Sequence, residues 1–519
     1  MGNNAIKSII ILSLLSALAF IAGSMASEGI QQAVVPIVLV VGTVVLLGLG
    51  RHSWALVYVI PALLLILDLP LARNLPLIYV VSVPLFLYWF LLYTLGYVKF
   101  TWHSVPSMDV SVLLLCGYFM LTWCWNPVTL NVFVDRITDT GDQIVGGNEY
   151  VWCLFAVIFY IFISVVPQKL ETLGKLLKVV FWGMLVLQVG LTLRNLVFGG
   201  AEAGVASEEM TSMSESISSS RFGGFVVLGM IVANFIACKY SFTALMSSPL
   251  RLGTYMLALL GVALSGFRNF LLSVALTMMF AQYYHRRMVM LILMGCVAYG
   301  GVLLISSTGV IKDLPYGVKR VLSSVPGVEL NERAAIEAEE SLTWRYEMWG
   351  WALDPKTGYI KDYVWGDGYG VSIRRQALKT RAVLRGTHQE TNRDYAEAGL
   401  WHSGWITAIH RTGIVGLALV ILLQVVTLVH GLRVCAYLVN VKNSAYIFYY
   451  VVPTFSSFII FHASAGIYKD VFQAFTGIAL VKVLTSVAIR EGLMEPLFAR
   501  KVYVPLMQRE LEPAAKSAG

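Results

Sequence analysis

The chain has 519 residues, of which 57% are hydrophobic and only 13% charged, and its formal net charge is +8. Soluble domains average roughly 25% charged residues, so this composition and the apolar stretches along the whole chain exclude a soluble globular protein. They indicate a polytopic integral membrane protein, in which the positive charge reflects basic loops rather than nucleic-acid binding. The six cysteines show no C-x-x-C spacing, so we expect no disulfide framework, no metal site and no cofactor.

Apolar runs of about 20 residues, the length that crosses the hydrocarbon core, recur fourteen times. We predict spans near residues 6–23, 33–49, 53–68, 76–97, 109–126, 150–167, 174–198, 220–240, 251–264, 268–284, 288–306, 413–432, 444–462 and 471–489. The first segment could instead be a cleaved signal peptide, because small residues follow it. A first transmembrane helix that also directs insertion is the preferred interpretation.

The distribution of basic residues predicts the orientation. With the N-terminus inside, thirteen lysines and arginines lie in the inner connections and six in the short outer ones, as the positive-inside rule requires. Both termini are therefore predicted to be cytoplasmic.

One outer connection, residues 307–412, is too long to be a simple linker and is expected to carry function. This divides the chain into a helical bundle (1–306), a large extracytoplasmic loop (307–412), C-terminal transmembrane helices (413–490) and a cytoplasmic tail (491–519). Nucleotides stay in the cytoplasm, so a site in this loop must use a substrate that is already activated.

Three arginines lie where they could meet an anionic substrate. Arg268 follows a short span and enters the membrane with the next one, where a charge needs a partner or a wet cavity; it could equally extend to the lipid headgroups. Arg345 lies on a predicted helix of the outer loop whose Trp344, Met348 and Trp351 share one face. Arg221 opens a span, a common place for a basic residue.

The outer loop also carries a strongly basic stretch, 371–393, with a single acidic residue, Glu390. It could bind lipid phosphates or acidic sugars, or be a solvated helix balanced by acidic residues elsewhere in the loop. Both interpretations remain open. His388 lies within this stretch.

The segment 401–417, WHSGWITAIHRTGIVGL, begins with polar residues and becomes apolar. If the span starts at Gly413, residues 403–412 form a short helix above it with Ser403 as N-cap. His402 then lies at the outer membrane surface, where a neutral imidazole can accept a proton. Trp401 is expected to anchor at the interface, and His410 and Arg411 are interpreted as interface residues.

Four motifs in order resemble the Wzy/O-antigen ligase family of bacterial membrane glycosyltransferases. They are RFGGF (221–225), LSGFRNFLLS (264–273), WRYEMWGWALD…VWGDGYGVS (344–372) and HSGWITAIHRTGIVGL (402–417). The resemblance covers mainly residues 220–432. The chain departs from the family at Ser403, where many relatives have Asn, at Phe267 and Asn269 beside Arg268, and at Arg411, a position that is often acidic.

The resemblance implies a GT-C-type fold of about 12–14 transmembrane helices in the bacterial inner membrane, with an active site facing the periplasm. It implies metal-independent transfer of a glycan from undecaprenyl diphosphate to a sugar hydroxyl of a second glycan or of lipid A core. Other polysaccharide-export proteins are possible partners. The implied roles are leaving-group stabilisation by Arg268 and Arg345, with Arg221 third, proton acceptance by His402, with His388 as reserve base, and sugar contact by Trp344 and Trp401.

Two alternatives remain open. Within the family a polymerase and a ligase are not separated by these motifs, and the absence of a visible protein-acceptor module favours the polymerase slightly. A transporter or flippase of lipid-linked sugars would explain fourteen spans and intramembrane arginines. It would predict similarity between the two halves of the chain and leaves the Trp-rich loop without a role.

Overall fold

The structure is a computed structural model. It describes residues 46–59, 77–126, 144–145, 148–198, 224–264, 268–308, 318–319, 322, 332–369, 371–372, 396, 399, 401–463, 466 and 468–497. The predicted span 6–23 and most of 33–49 lie outside these residues, as do both termini.

The described chain is built almost entirely from helices. They are α1 (Leu77–Thr94), α2 (Pro106–Trp125), α3 (Asn148–Val165), α4 (Leu170–Phe198), α5 (Gly224–Lys239), α6 (Phe242–Met246), α7 (Pro249–Ala263), α8 (Arg268–Tyr284), α9 (Met288–Ser307), α10 (Glu332–Leu353), α11 (Gly404–Leu438), α12 (Ser444–Ala463), α13 (Tyr468–Gln473) and α14 (Phe475–Arg490). One antiparallel pair, β1 (Ile144–Val145) with β2 (Val371–Ser372), joins the insert that follows α9 to the connection between α2 and α3.

Nine of these helical segments are apolar and match predicted spans. Five are long and apolar enough to cross a membrane: Pro106–Trp125, Leu170–Arg194, Gly404–Leu438, Ser444–Ala463 and Asp470–Arg490. Four more are shorter: Ser82–Thr94, Glu149–Val165, Phe225–Lys239 and Pro249–Ala263. The prediction of an α-helical membrane protein is confirmed at this level, whereas the total of 12–14 spans stays a prediction.

The outward faces of the spans require lipid. On α4, Val179, Val186 and Leu193 are 70%, 69% and 55% exposed, and their seven-residue spacing places them on one stripe of the helix. Apolar stripes of this kind are rare on soluble monomers. We infer that this face contacts the acyl chains of the bilayer.

The helices form two packed groups. A large core cluster joins α1, α2, α3, α4, α8, α11, α12, α13 and α14, and a smaller one joins α5, α6, α7 and α8. The most enclosed span is Asp470–Arg490, whose apolar window is 72% buried, compared with 33% for Leu170–Arg194. Because α8 packs against both α11 and α12, it links the second group to the centre of the first.

A buried ion pair lies inside the larger group. The Nζ of Lys482, whose side chain is fully buried, is 2.6 Å from Oδ1 of Asp109 and donates to Oγ of Ser164 at 2.8 Å. The hydroxyl of Tyr160 donates to the same carboxylate oxygen at 2.9 Å, and the ammonium lies 4.3 Å from the Tyr160 ring centroid. These contacts supply the partners that two charges need when they leave water.

The two charges are not equivalent, and this predicts an asymmetric response to mutation. Asp109→Ala leaves the Lys482 ammonium buried without its counterion, which we expect to cost about 3–5 kcal/mol. Lys482→Met leaves a carboxylate whose side chain is 24% exposed and still accepts from Tyr160, so its cost should be smaller. Thermal unfolding of the purified protein in detergent measures the stability loss of both variants, and Lys175→Met, which removes an exposed lysine, is the control. Equal melting temperatures for Asp109→Ala and the wild-type protein would contradict the assignment.

Candidate functional site

The helix α11 is broken at one residue. Gly413 has φ 69° and ψ −177°, outside the helical region, and separates a short helix 404–412 from the span that follows. The break coincides with the start of the span predicted from the sequence. Glycine is required here twice over, since φ is positive and a Cβ would collide with the carbonyl of Val364.

A helix break frees backbone groups that need partners in a buried setting. The loop 363–368, which follows α10 in the chain, lies against the break and supplies them. Backbone bonds join Asp367 N–H to His410 O (2.8 Å), Gly368 N–H to Arg411 O (2.9 Å), Ile414 N–H to Tyr363 O (2.8 Å) and Val415 N–H to Val364 O (3.3 Å). The hydroxyl of Tyr118 on α2 donates to the remaining carbonyl, that of Thr412, at 2.9 Å. The backbone groups that the break leaves without helical partners are therefore hydrogen-bonded to the loop and to Tyr118.

The loop is shaped by two aspartates and two glycines. Asp362 Oδ1 accepts from the N–H groups of Val364 and Trp365 at 2.8 and 2.9 Å, which makes an Asx turn. Gly366 and Gly368 both have positive φ, 82° and 76°, so the Gly-Asp-Gly sequence provides the backbone freedom that this turn needs.

Asp367 is the polar centre of the loop. Its Oδ1 accepts from the N–H groups of Lys361 (3.0 Å) and Asp362 (2.9 Å), and its Oδ2 lies 3.5 Å from Nε2 of His410. Burial would raise the pKa of Asp367, but the hydrogen bond from His410 and the two backbone N–H groups outweigh it and hold the pKa below its usual value. The carboxylate is therefore ionised at neutral pH.

His410 is fixed on both ring nitrogens. The indole Nε1 of Trp401 donates to His410 Nδ1 at 3.1 Å, and because an indole N–H is only a donor, that nitrogen must be unprotonated. The remaining proton lies on Nε2 and faces Asp367. The chain Trp401–His410–Asp367 thus joins the short helix 404–412 to the loop.

The burial of Trp401 and His410 differs from the sequence-based assignments, whereas that of Arg411 does not. Trp401 is 0% exposed, so the prediction of an interfacial, sugar-contacting tryptophan is wrong in this structure: its ring packs against Tyr359 and its N–H is used by His410. His410 is 4% exposed and belongs to the protein interior instead of the interface. Arg411 is half-buried, with its guanidinium donating to the Gly368 carbonyl at 3.3 Å and lying 5.6 Å from the Tyr369 ring centroid.

His402 lies where the helix 404–412 begins. Ser403 is the N-cap, as predicted, although its side chain makes no capping hydrogen bond. His402 is half-buried, and its φ of 46° is one of three positive values outside glycine in the described part of the chain. Left-handed backbone at such a residue is costly and concentrates at functional sites.

The structure brings His402 together with Trp344. The two rings meet edge to face with centroids 5.1 Å apart. Arg345, the next residue on α10, is also half-buried. An apolar cluster fixes this arrangement by packing the predicted face of α10 on the helix 404–412; its buried members are Met348, Ala352, Ile360, Ala396, Trp401, Ile406 and Ile409.

Arg268 is the first residue of α8, and it is half-buried. α8 packs against α12, with Thr277 hydrogen-bonded to Ser456 at 2.9 Å, and Arg268 lies nine residues, or about 13 Å of helix, before Thr277. That Arg268 shares a site with His402 stays a prediction.

The other candidates fall elsewhere. Arg221 and His388 lie outside the described residues, and so does most of the basic stretch 371–393. Among the residues that are described, no three His, Cys, Asp or Glu side chains come together in a way that could hold a metal ion.

The break at Gly413 predicts a strong effect of a single methyl group. Gly413→Ala forces a Cβ onto a residue with positive φ and against the Val364 carbonyl, and we expect a loss of about 2–4 kcal/mol through strain and loss of loop docking. The matched control is Gly350→Ala on α10, where a Cβ meets open space and should be neutral or stabilise by up to about 1 kcal/mol. Limited proteolysis within the loop 361–369 reports docking; equal protection of the two variants would contradict the role of Gly413.

The ionised state of Asp367 predicts a pH dependence. Its folded pKa is lowered, so its contribution to stability is present above the unfolded value of about 3.9 and is lost as the pH falls through the folded pKa. Asp367→Asn places an amide donor against the Nε2–H of His410 or removes a loop acceptor, at a cost of about 1–3 kcal/mol at pH 7. The gap in melting temperature between variant and wild type should narrow at pH 3. A gap that is the same at both pH values would refute the proposed charge.

The chain matches no model of a known protein family and no curated protein at a significant level. The interpretation of the site therefore depends on its geometry and on the sequence motifs.

Proposed function

We propose that the protein is a membrane glycosyltransferase of the Wzy/O-antigen ligase type, acting on lipid-linked glycans at the outer face of the bacterial inner membrane. The observation that carries the proposal is the position of His402. Its imidazole lies on a strained turn at the start of the short helix 404–412, against Trp344 and beside the helix that carries Arg345. A proton acceptor, an aromatic face and guanidinium groups are what this chemistry requires.

The burial of His410 helps to assign the base. The segment 401–417 offers two histidines, and both nitrogens of His410 are used by Trp401 and Asp367. His402 is half-buried, whereas His410 is 4% exposed, so a substrate can reach His402 more readily, and we assign the role of proton acceptor to it. A well-placed general base contributes about 10²–10⁴-fold in rate.

The proposed reaction exchanges one glycosidic bond for another. The acceptor hydroxyl oxygen attacks the anomeric carbon of the donor glycan while the bond from that carbon to the diphosphate oxygen breaks. The hydroxyl proton passes to His402, and undecaprenyl diphosphate leaves with the electron pair. Arg268 and Arg345 offset the negative charge that grows on the diphosphate, a task that guanidinium groups perform bidentately.

Trp344 is assigned to sugar contact in this proposal. Its side chain is half-buried, in contrast to that of Trp401. The acceptor is a second lipid-linked glycan or lipid A core, and neither a metal nor a cofactor is part of the scheme.

Replacement of His402 by glycine tests the proposal. Glycine adopts the left-handed conformation of residue 402 without strain, so His402→Gly should keep or raise the melting temperature while the transfer rate falls about 10²–10⁴-fold. His52→Ala, which changes an exposed histidine elsewhere in the chain, is the control. The assay follows glycan transfer by purified protein from undecaprenyl diphosphate. Wild-type transfer by a stably folded His402→Gly variant would contradict the proposal.

The same assay separates a polymerase from a ligase. Ladders of lengthened glycan formed from lipid-linked repeat units alone support the polymerase. Transfer that occurs only when lipid A core is added supports the ligase.

One observation favours the alternative of a transporter of lipid-linked sugars. The ion pair of Lys482 and Asp109 lies inside the bundle, and intramembrane charges mark transport pathways in many proteins. Reconstitution into liposomes distinguishes the two: a transporter moves labelled lipid-linked sugar across the bilayer without changing it chemically. The alternative predicts that such movement fails in Asp109→Asn and persists in His402→Gly.

A further inference from the structure

A cavity of about 440 Å³ lies at the end of the bundle opposite His402. It is open to solvent on one side and lined by the turn that follows α8 and by residues at the end of α11, and its volume falls within the range of about 300–1,000 Å³ that is typical of small-molecule sites. The orientation predicted from the basic loops places this end in the cytoplasm. It has no part in the transfer chemistry proposed above.

The lining of the cavity is positively charged. Arg286 and Arg287 line it, and both are exposed. Within the described part of the chain neither guanidinium has a hydrogen-bond or ion-pair partner, and the cavity lining contains no carboxylate. Ser241 and Asn440 add neutral hydrogen-bond donors to the lining.

The rim carries further positive charge that is already fixed in place. The Lys239 ammonium and the Arg251 guanidinium lie 5.0 and 4.5 Å from the ring centroid of Tyr240, the residue before Ser241. Stacked cations of this kind keep their charge while losing rotational freedom. Lys239 and Arg251 make the electrostatic potential near the cavity more positive, and neither side chain lines the cavity.

Arg286 stands where the backbone favours glycine. The N–H of Arg287 donates to the carbonyl of Gln282 at 2.9 Å and the N–H of Arg286 to that of Tyr283 at 3.0 Å, which is the hydrogen-bond pattern of a Schellman motif at the end of α8. Arg286, at the position usually taken by glycine, has φ 56°. An arginine there costs stability, and such strain points to a function for the side chain.

We propose that this cavity is a binding site for a phosphate group. Two unpaired guanidinium groups with neutral donors beside them match the oxygens of a phosphate monoester or diester. The group could belong to the headgroup of an anionic lipid or to a soluble phosphate compound, and both sources use the same chemistry.

The experiment compares two probes on the full-length protein in detergent. The lipid probe is short-chain phosphatidylglycerol, with phosphatidylcholine of the same chains as reference, and the soluble probe is inorganic phosphate. Arg286→Gly removes the charge and relieves the left-handed strain, so it should fold at least as stably as the wild type. Arg287→Gln removes the second charge, and Lys175→Gln, which removes an exposed charge on α4 that does not line the cavity, is the matched control.

We expect Arg286→Gly and Arg287→Gln each to weaken probe binding about tenfold, and Lys175→Gln to leave it unchanged. If the wild type prefers phosphatidylglycerol to phosphatidylcholine and the arginine variants lose this preference, the ligand is a lipid headgroup. If the wild type shows no preference between the two lipids, and the arginine variants lose binding of inorganic phosphate, the ligand is a soluble phosphate. Wild-type affinity of Arg286→Gly for both probes, or equal losses in Lys175→Gln, would overturn the proposal. Normal glycan transfer by these variants leaves the function proposed for His402 intact.

Discussion

The candidate site of this protein depends on a broken helix. Gly413 interrupts α11, and the loop 363–368 accepts and donates the hydrogen bonds that the break releases. Unpaired backbone groups at this depth would each cost several kcal/mol. The loop and the helix break therefore stabilise each other.

The docking of the loop on the helix break gives the two histidines of the segment 401–417 different roles. His410 is locked between Trp401 and the ionised Asp367, which ties the short helix 404–412 to the loop. His402 lies at the other end of the same short helix, on a left-handed residue that faces α10. A rigid scaffold behind a more exposed, strained residue is the arrangement that preorganised sites use.

The sequence was sufficient to predict the spans that the structure describes, because lipid leaves an apolar run of 20 residues little choice other than a helix. It also located the break at Gly413, where polar residues give way to apolar ones. It could not pair His410 with Asp367, since the two are separated by 43 positions and meet only through the docked loop. The glycines on both sides of Asp367 were the available signal. Trp401 was misassigned because the aromatic-belt rule does not anticipate the cover that α10 provides.

The most direct test of the account is chemical rescue of the proposed base. In His402→Gly the missing side chain leaves space beside Trp344, and added imidazole should restore glycan transfer in proportion to its concentration of neutral base. His410→Gly should not be rescued, because that position is buried and holds the loop in place. Rescue of His410→Gly, or none for a stably folded His402→Gly, would contradict the assignment of the two histidines.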